Sequence, residues 1–76
     1  MLDRIAVDTA LHFGKPCVRG TRIPVVDVLE LVRARKTFDE IIRDYYPELQ
    51  PVDIQACLQY AIEVLAIEEV RVSHTA

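Results

Sequence analysis

The chain has 76 residues, nine basic and twelve acidic for a net charge of −3, and 51% of it is apolar. That is enough for one small domain, with no break in composition for a second, no apolar run near membrane-spanning length and no leader-like charged start. Two cysteines, Cys17 and Cys57, allow at most one bridge, so the expectation is a cytoplasmic protein with free thiols.

Arg4–Val7 alternates polar and apolar residues and reads as a short strand. Asp8 and Thr9 then offer a turn, or one helical turn through Leu11 to Phe13. The stretch Gly14–Val25, GKPCVRGTRIPV, holds both glycines, two of the four prolines and three basic residues. Gly14 and Gly20 release the backbone, while Pro16 and Pro24 fix it. These four shape a loop or ribbon in which Cys17 and Val18 extend and Arg19-Gly20-Thr21-Arg22 turns. Two or three short strands are expected in all.

Pro24 suits the entry to a helix, predicted over Val25–Arg35. Its acidic residues, Asp27 and Glu30, come early, and Arg33, Arg35 and Lys36 come late, matching the helix dipole. Val25, Val28, Leu29 and Val32 share a stripe, and Val26 and Leu31 widen it beyond what one small core needs. Thr37-Phe38-Asp39-Glu40 is a capping-box pattern opening a second helix, which Pro47 stops. Pro51 opens a third, predicted to run to Ala66. Its apolar stripe is Ile54, Cys57, Leu58, Ala61, Ile62 and Leu65, and its solvent stripe Asp53, Gln55, Gln59, Tyr60 and Glu63. Glu69–Val72 alternates again and reads as a closing strand, with a frayed Ser73–Ala76 after it.

One domain is therefore expected in three parts. Residues 1–24 form a β-arm, 25–68 three helices, and 69–76 a short strand or tail. The second and third helices, joined through Tyr46–Gln50, have the proportions of a helix-turn-helix. Chains below about 80 residues usually need a staple. Cys17, Cys57, His12 and His74 show no paired ligand spacing, so no metal and no cofactor are expected. The remaining staple is a second copy, a homodimer with Val26, Leu31 and Val32 at its interface.

Charge is divided along the chain. Residues 1–36 carry seven basic against four acidic residues, and residues 37–76 two against eight. Within 11–26 there is no acidic residue opposite Lys15, Arg19 and Arg22. Such a segment suits a polyanion or an acidic protein surface.

With the GKPCVRGTRIPV stretch and the later Tyr-Pro-x-Leu-x-Pro-x-Asp-Ile run in view, the chain resembles the domain of unknown function 433 (DUF433) family, small prokaryotic proteins regarded as VapB-type antitoxins. The residues that carry the resemblance are Gly14, Lys15, Pro16 and Arg19 to Val25, then Tyr46, Pro47, Leu49, Pro51, Asp53 and Ile54. The resemblance extends over nearly the whole chain. It implies a mainly α fold, a homeodomain-like three-helix bundle preceded by a short β-arm. It also implies a DNA-associated role beside a PIN-like ribonuclease toxin encoded next door. Phe13 stands where the family often has a second glycine, Gln50 where a Ser or Thr often caps the third helix, and Tyr45 where an acidic residue is common.

The expected function is that of a type II antitoxin that neutralises such a ribonuclease and binds operator DNA as a dimer. The contact residues expected are Lys15, Arg19, Thr21 and Arg22 on the arm, and Gln55 and Gln59 on the third helix, where they suit adenine edges. That helix has no basic residue, so phosphate affinity must come from the arm. Arg19 or Arg22 also suits insertion into an acidic nuclease centre, because guanidinium pairs bidentately with carboxylates. The alternative is a dimerising interaction module without nucleic acid, its arginines paired within the protein. Gly14 to Arg22 lacks the Walker spacing, and Cys17 with His12 lacks a third group, so no catalytic residue and no enzyme activity are expected.

Overall fold

The computed structural model describes residues 2–8 and 14–72. The turn expected over 9–13 and the tail 73–76 lie outside the described residues. A 3₁₀ turn at Leu2–Arg4 leads into strand β1 (Ile5–Val7), which pairs antiparallel with β2 (Pro16–Val18). The register sets Ile5 opposite Val18, Ala6 opposite Cys17 and Val7 opposite Pro16. Three helices follow: α1 (Val25–Arg33), α2 (Phe38–Asp44) and α3 (Pro51–Val72). The fold is mainly helical, with a small two-stranded sheet at its start.

Ile5 and Val18 point from the sheet into a core completed by Ile23, Val25 and Val28 before and on α1, Ile41 on α2, Leu49 in the loop, and Ile54 and Cys57 on α3. Val28, Ile41, Ile54 and Cys57 are fully buried. Leu29, Leu31, Val32, Phe38, Ile42, Tyr46 and Tyr60 close over this set from outside.

Helix α1 ends two residues earlier than predicted. The amide of Lys36 donates to the Leu31 carbonyl at 3.1 Å and that of Arg35 to Val32 at 2.9 Å. This double closure requires a left-handed residue past the cap, and Arg35 takes that place at φ 67°. The predicted box on α2 is present in full: Glu40 N–H donates to Thr37 Oγ1 at 3.1 Å, and Thr37 N–H to Glu40 Oε1 at 2.8 Å.

Helix α3 overturns two expectations. It runs through Val72, so the strand read over Glu69–Val72 is helical. Four alternating residues cannot separate period 2 from period 3.6 when a helix is already running. Asp53, placed on the solvent stripe, is 7% exposed. Its Oδ2 accepts the Gln50 N–H at 2.8 Å, and its Oδ1 pairs with Arg4 Nη1 at 2.9 Å. Tyr60, also read as solvent-facing, packs against the core.

Candidate functional site

The arm's basic turn is a hairpin with its base set in the core. Val18 and Ile23, both buried, close it through Val18 N–H to Ile23 C=O at 2.9 Å, and Cys17 bridges Pro24 beyond. Thr21 N–H donates to Val18 C=O at 3.0 Å, with Gly20 in the third turn position at φ 80°. That positive φ makes this a type II turn, which calls for glycine there. The Thr21 hydroxyl donates to the Val18 carbonyl at 2.7 Å and accepts the Ile23 amide at 3.0 Å. Thr21 therefore holds the hairpin's shape.

Arg19 is engaged in the same way. Its Nε donates to Asp3 C=O at 2.5 Å and its Nη2 to Ile5 C=O at 3.1 Å, while its own amide donates to Arg4 C=O at 2.6 Å. The side chain fastens the hairpin to β1. Carbonyls do not neutralise a guanidinium, so the positive charge stays at the site although its geometry is committed.

Lys15, Arg19, Thr21 and Arg22 line one groove of about 670 Å³, together with Gly20, Cys17, Ala6, Asp8 and Glu48. Four of the six expected contact residues are thus brought together. Lys15 and Arg22 are exposed, and neither side chain makes a hydrogen bond or ion pair to another described residue. Arg22 is thus, with Lys15, a groove cation whose side chain the fold leaves uncommitted among the described residues. A Cβ added to Gly20 would meet nothing within 4 Å, so the turn's outer side is open.

Gln55 and Gln59 do not join this groove. Gln55 is exposed near the start of α3, and the Gln59 amide donates to Glu63 Oε2 at 3.0 Å, one turn further on. The arrangement therefore separates the basic surface from the glutamines. Glu48 is the charged groove residue that the sequence did not single out, since charge counted along the chain does not show which loops meet.

Cys17 and Cys57 are free and buried. Burial pushes both thiols up, Cys57 to about 11. A thiol so placed is a packing group and a poor nucleophile. Among the described residues there is no group of three or more His, Cys, Asp or Glu placed to hold a metal ion. No helix there is long and apolar enough to cross a membrane.

Of the residues expected at a dimer face, Val26 is 52% exposed, while Leu31 and Val32 pack partly against the chain's own core.

A family model described as protein of unknown function (DUF433) matches residues 5–61, which contain both strands, α1, α2 and the first half of α3. No curated protein and no solved structure matches the chain.

Proposed function

The chain belongs to the DUF433 family, and from that premise we propose that it is a type II antitoxin whose basic hairpin docks on the acidic centre of a PIN-like ribonuclease. The observation that carries this reading is the groove holding Lys15 and Arg22, both without an ion pair among the described residues, beside a turn fixed by Thr21 and Arg19. A preorganised cation loses little freedom on binding, and Arg22 offers a fork matched to a carboxylate pair. Inserted among metal-binding carboxylates, it would neutralise them and compete with the ion.

Operator binding is the second part of the proposal, and the hairpin serves it better than α3. In a homeodomain-like reading of α2 and α3, the reading helix would offer Gln55. Gln59 is already bonded to Glu63, and Asp53 is held by Arg4. The hairpin, doubled in a dimer, is the source of phosphate-directed charge. A dimerising module that binds neither ribonuclease nor DNA is the rival reading.

Calorimetric titration of the purified chain with the ribonuclease encoded beside it tests the first part. Stoichiometric binding that Arg22→Ala weakens at least tenfold, with helicity unchanged, supports it. Equal binding by that variant overturns the role of the hairpin. Titration with a duplex of the upstream DNA tests the second part. Binding that falls steeply as salt rises is expected, and no binding at low salt removes DNA from the reading.

A further inference from the structure

The groove beside the hairpin is lined by charges of both signs. Lys15, Arg19 and Arg22 come from the hairpin, while Asp8 follows β1 and Glu48 belongs to the loop between α2 and α3. Three cations therefore share with two carboxylates a space on the order of 10 Å across, about one Debye length at moderate salt. At low ionic strength each of these charges is felt throughout the groove. Glu48 is held in place by its neighbours in the loop. Leu49 is buried, and its amide donates to the Tyr46 carbonyl at 3.0 Å. The Gln50 amide donates to Asp53 Oδ2 at 2.8 Å, and Pro47 stiffens the chain on the other side.

The Glu48 side chain is exposed and makes no hydrogen bond or ion pair to another described residue. Its charge nevertheless reaches inward. Burial pushes the half-buried Tyr46 hydroxyl up, and the charges of Asp27 and Glu48 add to that push. The fold thus sets an uncommitted carboxylate in one groove with two uncommitted cations, Lys15 and Arg22, without joining them. We propose that Glu48 is the specificity-determining residue of this groove. It disfavours a polyphosphate chain laid along Lys15 and Arg22, and it admits a protein surface that brings a lysine or arginine to Glu48 beside its own carboxylates.

The two kinds of partner differ in how their charge is arranged. Nucleic acid presents one sign only, with a charge about every 1.7 Å along a duplex. A backbone drawn to Lys15 and Arg22 therefore also passes Glu48 and is repelled there. A folded protein surface carries both signs, so it can answer the hairpin with carboxylates and Glu48 with a cation. Placing like charges opposite each other suppresses the wrong partner, at some cost in affinity for phosphate. This role of Glu48 rests on the docking reading above for the protein partner, and not for the polyanion.

Fluorescence anisotropy with a labelled short DNA duplex of arbitrary sequence tests the polyanion half at low salt. Glu48→Gln should bind the duplex about threefold more tightly than the wild type, with a gain that shrinks as salt rises. Glu63→Gln makes the same change in net charge at an exposed site outside the groove lining, and should bind as the wild type does. Equal affinity of wild type and Glu48→Gln overturns the proposal, and so does no measurable binding by either. An equal gain in Glu63→Gln also overturns it, because net charge would then be the cause. Towards the proposed ribonuclease partner the sign reverses, and Glu48→Gln should bind about threefold more weakly. Equal binding of the ribonuclease by both chains overturns the protein half. A ribonuclease that binds neither removes the docking reading itself, and the duplex titration still decides whether Glu48 guards the groove.

Discussion

Arg35 occupies the left-handed region, at φ 67°, where a side chain costs about 1 kcal/mol relative to glycine. Arg35→Gly should therefore raise the free energy of urea unfolding by about 1 kcal/mol. Gly20 presents the opposite case: its surroundings are open, yet its φ of 80° resists any Cβ. Gly20→Ala should lower stability by about 1 kcal/mol through the backbone alone. Cys57 ties stability to alkaline pH. Burial, aided by the charge of Asp53, pushes its thiol from 9.0 up to about 11. The folded chain then keeps a proton that the unfolded chain releases above pH 9. That stabilisation is complete below pH 9 and is lost as pH rises towards 11, on the order of 2 kcal/mol in all. Unfolding midpoints from pH 8 to 11 should fall more steeply for the wild type than for Cys57→Ala.

At the scale of elements, legibility in the sequence follows the distance between partners. The α2 capping box was readable because Thr37 and Glu40 are three residues apart. Accepting from Thr37 holds the Glu40 carboxyl below its ordinary 4.5. That contribution is present above pH 4.5 and lost as pH falls through the lowered value. The start of α3 was only half readable. Gln50 looked like a weak cap, but Asp53 reaches back to its amide and is itself fixed by Arg4, 49 residues away. No local pattern shows such a pair, nor Arg19 on the carbonyls of Asp3 and Ile5. Asp53→Ala should lower stability by about 2 kcal/mol in urea unfolding, since it leaves both the Gln50 amide and Arg4 without their acceptor. The closing strand failed for a related reason: four alternating residues are a weaker signal than the helix they extend.

At the scale of the molecule, the basic segment read from the sequence is one surface of the fold, and its members divide by task. Thr21 and Arg19 hold the hairpin, whereas Lys15 and Arg22 are displayed by it. The sequence placed all four at the site but could not assign those tasks, because carbonyl acceptors leave no trace in charge patterning. The glutamines of α3 stand apart from the groove, which weights the proposal towards a protein partner. The most direct measurement is RNA cleavage by the proposed PIN-like ribonuclease partner, titrated with the wild-type chain and with Arg22→Ala. Full inhibition at one equivalent of wild type, and at least tenfold weaker inhibition by an equally folded Arg22→Ala, is the expected result. Equal inhibition by the two, or cleavage unaffected by either, would contradict it.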